Sequence, residues 1–511
     1  MRNPHVRCEV PRIWFIWTAT PKTRPIWSCC WTAGGTVRRR SMPFPATWCR
    51  DSGPTAKWRC REHNMDAGDM MKYDLIVCGG GPAGAAAALA AASGGLRTAL
   101  VERFGCLGGM ASAGLVNPLL GLELNRPGEA RSRFLGTPAF GALLRTLRRD
   151  GAYGTRLTPA AFDEEQLKIR LDELLSAAGV DLLFHTMLLD VVRDGGALSG
   201  VRVLGKEGVT TLKAALFIDS TGDGDLAAAA GCPFDTGRPG DGLMQPGTMS
   251  FRMGGVDKSE LSEQSDIRAA RALVDAYFQQ ACRSGALEYP YRDFIHFYDY
   301  PRPGVLHFNM TRINGIDGCS SRGLARGETE GRKQVKIITD WLVREVPCFR
   351  NAFLEKLPQQ VGIRETRHFR GEYAMERGDI VSGRKFADGI ARSAYFIDIH
   401  SPVGSGFDHS QQGTKGAVLE AYKPPAGDYY EIPFRSLRLP GADNLLVACR
   451  ALSASHVAAA AVRVMSPMFA VGEAAGCAAV LARRKNGSFA EVDGEAVRRA
   501  LGYLDREPEA L

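Results

Sequence analysis

Gly79-Gly80-Gly81-Pro82-Ala83-Gly84 decides the fold of this chain because of what stands on either side of it. Tyr73 to Cys78 is a short, β-rich apolar run. Ala83 to Ser93 reads as an alanine-rich helix ended by Gly94-Gly95, and Thr98 to Val101 reads as a second buried strand running into Glu102. Strand, glycine turn, helix and second strand in this order open a doubly wound α/β sheet that binds a dinucleotide. Each glycine has its own task. Gly79 permits the tight turn, Gly81 lets the backbone approach a pyrophosphate, and Gly84 lets the helix lie close on the strand. Pro82 and Ala83 open the helix, whose N-terminus faces phosphate charge. Glu102 lies 18 residues beyond Gly84, where a carboxylate accepts hydrogen bonds from an adenosine ribose and repels a 2′-phosphate. The fingerprint alone specifies an ADP half and leaves NAD and FAD open.

The segment Arg103-Phe104-Gly105-Cys106-Leu107-Gly108-Gly109-Met110-Ala111-Ser112 is a loop of mostly small residues, suited to close backbone contact with a ribityl chain and ring. Together with Ala113-Gly114-Leu115-Val116-Asn117-Pro118, it resembles a large family of FAD-dependent oxidoreductases whose glutathione-reductase-like FAD domain carries such a Leu-Gly-Gly stretch. The resemblance implies FAD as cofactor, with Arg103, Leu107, Gly108, Gly109 and Met110 beside it and Leu188 near the adenine. It also implies a second FAD-contacting turn at Ser220-Thr221-Gly222-Asp223-Gly224-Asp225. Near the end of the chain, Ser466-Pro467 reads as a helix start with a cap hydroxyl and a proline in the first turn. In the family such a helix, here with Met468 in its first turn, aims its N-terminus at the flavin pyrimidine edge, where its dipole favours the reduced ring. One departure stands out: Cys449 precedes Arg450 where the family pattern has glycine.

The expected fold is therefore α/β, a Rossmann-like three-layer FAD/NAD(P)-binding domain with an inserted α+β substrate domain. The first part of the FAD domain is expected over 71–239, with a helix over Phe162 to Ala178 and strands at Asp181 to His185, Leu188 to Val192, Val201 to Leu204 and Ala214 to Asp219. The insertion is expected over 240–428, with strands near Thr248 to Met253 and Val305 to Met310 and helices over Gln264 to Arg283 and Leu324 to Val346. The chain then returns to the FAD domain over 429–485, with a strand at Asn444 to Ala448, and 486–511 forms a C-terminal helix and tail.

Residues 1–70 belong to a different population. They hold seven of the eight net positive charges, six of the seven tryptophans and five of the 13 cysteines, with no helical or alternating period. This stretch is expected to be disordered or to be translated upstream sequence, with the true start at Met70 or Met71. The body is then nearly neutral, which removes the electrostatic reason for a nucleic-acid partner. No run reaches the roughly 18 consecutive apolar residues of a membrane span, so no stable membrane insertion is expected. Dispersed cysteines without paired spacing indicate a reduced, cytoplasmic protein and no metal site. Asp219, Thr221, Asp223 and Gly224 match the first half of a calcium loop, but its twelfth position is Ala230 rather than glutamate. Cys106 stands alone, without the second cysteine of a disulfide reductase.

The chemistry expected is hydride exchange between the flavin and a small polar substrate. His400 and His456 are the candidate bases, and Arg463 is a candidate stabiliser of the reduced ring or an anion clamp. Each histidine has a bland alternative as a hydrogen-bonded structural residue. Asn309, Arg364 and Arg367 are the candidate substrate-binding residues, in blocks that resemble the family. The arginines have their own bland alternative, an internal salt bridge to Glu365 or Glu372. Two other readings remain open: an NAD-using reductase without flavin, and a flavin-holding subunit that passes electrons to a partner. Oligomeric state is not encoded in any feature of the sequence.

Overall fold

The structure is a computed structural model that describes residues 29–33, 36–40, 72–404, 421–485 and 487–509. It separates into two units, Met1–Gly68 and Asp69–Leu511. In the first, strands Cys29–Ala33 and Thr36–Arg40 pair antiparallel, where the sequence reading placed no element. The rest of that stretch, including the expected start at Met70 or Met71, lies outside the described residues.

In the second unit the strand Lys72–Cys78 pairs in parallel with Thr98–Val101 on one side and with the end of Gly208–Asp219 on the other. Asp181–Leu183 extends the parallel set beyond Thr98–Val101, and Leu445–Val447 extends it beyond Gly208–Asp219. The strand Gly208–Asp219 is 12 residues long and starts six residues earlier than predicted. Its first half pairs antiparallel with Ala197–Gly205, which pairs with Met187–Asp194, and so joins the meander to the parallel sheet. Strict alternation builds the three layers. Leu75, Val77, Leu216 and Ile218 enter one core, while Ile76, Cys78 and Phe217 enter the core on the opposite face. Strands buried on both faces read as continuous apolar runs, which is why this sheet was legible.

Helix Pro82–Ser93 crosses helix Met465–Arg483 with almost no gap. A β-carbon on Gly472 would stand 2.0 Å from the Ala83 carbonyl oxygen, and one on Gly476 would stand 2.4 Å from that of Ala87. By length and composition Met465–Arg483 is apolar enough to cross a membrane, which the run-counting criterion overlooked; yet 78% of its most apolar window is buried inside the protein. It is the central core helix. It also begins one residue before the predicted cap: Val464 is the N-cap, and Ser466 lies inside the first turn with its Oγ buried and unpartnered.

The inserted segment folds on a four-stranded antiparallel sheet in the order Phe297–Asp299, Leu306–Phe308, Phe251–Gly254, Phe353–Lys356. Helices Ile267–Ser284 and Ser321–Glu345 cover it, capped by Asp266 and Ser320. Trp341, Phe278 and the stacked pair Phe251 and Phe308 form its core. This separate core draws on residues 249–352 and Leu157, whereas Met375, Ile390, Ile397 and Tyr430 pack into the first core. Packing thus changes partner within the predicted insertion.

Candidate functional site

A cavity of about 440 Å³ lies where the parallel strands end and the inserted segment leans over them. Open α/β sheets bind ligands at this edge. The turns that follow four of the strands, at Gly79–Ala83, Glu102–Phe104, Ser220–Gly222 and Cys449–Arg450, all contribute to it.

The glycine turn behaves as its spacing predicts. Gly79 has φ +98°, and a β-carbon there would lie 2.2 Å from the Ser220 carbonyl oxygen. One on Gly84 would lie 1.8 Å from the Gly79 carbonyl oxygen. Gly81 differs: its nearest neighbour would be the Gly109 α-carbon at 4.0 Å, so it faces open cavity. Glu102 accepts hydrogen bonds from the Gly80 amide at 2.6 Å and the Phe104 amide at 2.8 Å, which fix the carboxylate at the cavity wall. Burial raises its pKa, and the two amides oppose that. Arg103 bonds Gln360, while Gly109 and Met110 also line the space.

Leu107, Gly108 and Gly84 stand behind the cavity surface. The Gly108 amide donates to the Gly80 carbonyl at 2.8 Å and ties the two loops together. Leu188 packs on the far core rather than the cavity. The second turn carries Thr221 and Gly222 into the wall. Asp219 accepts from the Thr221 amide at 3.0 Å, the Thr221 hydroxyl at 2.8 Å and the Ala227 amide at 2.8 Å, so its oxygens hold the turn rather than a calcium ion. Met468, Met465 and Val464 bring the N-terminus of the long helix to the cavity, with no side chain capping its first amides. Cys449, the departure from the family pattern, is buried in the wall, and burial pushes its thiol up to about 12. A continuous wall of backbone turns, an anchored acid and an uncapped helix end fits FAD. Gly81 and Gly109 would lie along its pyrophosphate and ribityl chain, Glu102 at its ribose and Met465 to Met468 at its ring.

The opposite wall is polar. Asn309, Arg364, His400 and Arg463, four residues singled out from the sequence, all line it. Arg292 donates to Asn309 Oδ1 at 2.7 Å, Arg364 donates to the Pro246 carbonyl at 2.6 Å, and Arg463 donates to the Asp398 carbonyl at 3.1 Å. His400 Nε2 lies 3.4 Å from Asp398 Oδ1, and the Tyr395 hydroxyl donates to the other carboxylate oxygen at 3.1 Å. Burial and then Arg364 push the His400 ring down to about 3, although Asp398 works against them. Burial would raise Asp398, but His400, Arg463 and Arg364 hold it well below the usual carboxylate range.

Arg292, His296, Tyr298 and Asp398 were missed. A signal was present: Arg292, Phe294, His296 and Tyr298 alternate toward the cavity, while Ile295 and Phe297 between them enter the core. Thr248 and Ser250 alternate with Met249 and Phe251 in the same way.

Of the predicted catalytic and substrate-binding residues, two do not reach the cavity. Arg367 donates to Asp225 at 2.8 Å and to the Asp223 carbonyl at 2.7 Å, and pins the second turn. It is a salt-bridge residue, with Asp225 as partner in place of Glu365 or Glu372. His456 is buried in another cluster: its Nδ1 lies 2.5 Å from Glu365 Oε1, to which His368 Nε2 also comes within 2.7 Å. These three residue types are metal ligands, and their atoms lie within 4.8 Å of one another. The contacts are hydrogen-bond spacings to a single oxygen, and the cluster clips the loop carrying Arg364 to the helix His456–Val462. Burial would raise Glu365, but hydrogen bonds from His368 and His456 outweigh it and hold the carboxyl at about 2.

Fold and site together define an α/β oxidoreductase with a dinucleotide cradle facing a polar wall. The family described as FAD dependent oxidoreductase matches residues 74–501, and the chain belongs to it; FAD is its cofactor. The digeranylgeranylglycerophospholipid reductase of Thermoplasma volcanium is 25% identical over 172 residues, which span 30% of this chain and 40% of that enzyme. Among solved structures, a geranylgeranyl bacteriochlorophyll reductase-like protein of Thermoplasma acidophilum is 13% identical, with a TM-score of 0.42 over 85% of this chain and 84% of that one. A myxobacterial FAD-dependent halogenase is also 13% identical, with a TM-score of 0.41 over 84% of this chain and 78% of that one.

Proposed function

We propose that this FAD-dependent oxidoreductase exchanges hydride with a small polar organic substrate held against the wall formed by Asn309, Arg364, His400 and Arg463. The observation that carries this reading is that one cavity contains both the cofactor cradle and that wall. FAD, when bound, supplies a two-electron acceptor or donor. The chain supplies orientation and a place for the proton. His400 is the side chain suited to take a proton from a substrate hydroxyl or amine, or to return it, and Asp398 at 3.4 Å sets the ring's orientation. His456 supports the wall from behind. Its ring is committed to Glu365, and it lies away from the cavity lining.

Anaerobic titration of the purified protein with a panel of hydroxy acids, amines and sugars tests the proposal through bleaching of the flavin absorbance. One class should bleach it, and His400→Asn should slow the bleaching by roughly 10²- to 10⁴-fold, the usual weight of a general base. Bleaching at an unchanged rate in His400→Asn would remove the histidine from the reaction. A flavin that no organic substrate reduces, but a protein electron donor does, would favour an electron-transfer subunit.

A further inference from the structure

Three guanidiniums, those of Arg292, Arg364 and Arg463, line the polar end of the cavity, and the carboxylate that faces them there is Asp398. The excess is two positive charges. Asp398 is already engaged by His400, Tyr395 and Arg463. Buried like charges repel at close range, and the wall bears the mark of it: burial, then Arg463 and Arg292, lower the pKa of Arg364 well below its usual value. Buried nitrogens are also left over. Arg292 Nε, Arg463 Nε and His296 Nδ1 are buried without a hydrogen-bond partner. Buried guanidinium groups are stable when an acceptor satisfies them, and a carboxylate matches their forked geometry. Four aromatic rings, those of Phe294, Tyr298, Tyr395 and Phe396, line the cavity as well.

From this charge excess, these unpartnered guanidinium nitrogens and these rings, we infer that the substrate is a carboxylic acid with an aromatic or apolar body, its carboxylate held by Arg292, Arg364 and Arg463. The inference rests on the proposal that this end of the cavity is the substrate site. It also bears on the proton. Arg364 is the largest charge holding the His400 ring down, so a carboxylate that neutralises Arg364 lifts the ring toward a range where it can accept a proton.

Benzoate and its neutral counterpart benzamide separate charge from shape. The holoenzyme is titrated with each at constant ionic strength, and the flavin absorbance band and thermal midpoint are followed. Benzoate is expected to perturb the band saturably and raise the midpoint, and benzamide to bind roughly ten- to a hundredfold more weakly, the range for a lost charge-assisted contact. Arg292→Met should weaken benzoate by a similar factor and leave benzamide unchanged, with a retained flavin band reporting an intact fold. Equal binding of the two ligands would overturn the inference, as would full displacement of benzoate by equimolar inorganic phosphate. If the protein purifies without flavin, the functional reading fails separately. Calorimetry of benzoate and benzamide on that colourless protein then decides the inference alone, with benzoate binding supporting it and its absence overturning it.

Discussion

The two walls of the cavity are built on opposite principles. The cradle is made of backbone: Gly79, Gly81, Gly84 and Gly109 work because nothing projects from them, and what they approach is the backbone of neighbouring turns. The polar wall is made of long side chains from four separate stretches, near residues 292–298, 309, 364 and 396–400, joined by Arg463 from the helix side. The cradle depends on close approach. The wall depends on the balance of buried charge, which nothing local enforces.

Paired substitutions in the glycine turn give the largest effect. Gly84→Ala places a methyl 1.8 Å from a backbone oxygen that cannot give way. Overpacking ordinarily costs about 1–3 kcal/mol and more against backbone, so loss of soluble, flavin-bearing protein is expected. Gly81→Ala meets no atom nearer than 4.0 Å and should stay soluble and folded while releasing flavin on gel filtration. If the two variants behave alike, the turn does not divide into packing and cofactor-facing positions.

Next comes Glu365→Ala, aimed at the clip behind the wall. Removing one member of a buried charged cluster costs about 3–5 kcal/mol, seen as a lower midpoint in thermal melts. Flavin absorbance should persist, because the cradle does not touch Glu365. Release of flavin at the same temperature as loss of ligand response would show that the walls are one cooperative piece. The Glu365 contribution is present above about pH 4.5, the unfolded value, and is lost as pH falls toward the folded value of about 2.

A smaller effect is expected at His307, one strand behind the wall and opposite Tyr298. Both of its ring nitrogens are buried without partners, and burial and then Arg252 hold the ring at about 3. Between about pH 6.5 and 3 the unfolded chain takes up a proton that the folded chain refuses, so stability falls with pH across that window. His307→Leu should raise the midpoint by removing the unmet polar atoms, and more at pH 5 than at pH 7. An equal gain at both values would show that the ring titrates normally. The smallest effect is expected from Arg370→Ala. Its bridge to Asp235 is exposed on both sides, and melts should show no measurable change.

How much was legible follows the same division. Glu102, the glycines and Thr221-Gly222 were found because their neighbours in sequence are their neighbours in space. Arg364 and Arg367 looked alike, three residues apart, and only packing separated them: Arg364 turns into the cavity, while Arg367 turns to Asp225. His456 fell to the same ambiguity, since its partner Glu365 is 91 residues away. Arg292 and His296 were visible as alternation yet carried no motif.

The sequence by itself determined the sheet, the cofactor cradle and the family, because a tight turn between a strand and a helix constrains residue type at fixed spacing and leaves a pattern. Tertiary structure alone decided which charges face one another across the cavity. Buried electrostatics depend on distances between segments far apart in the chain, and a single sequence records no spacing for those.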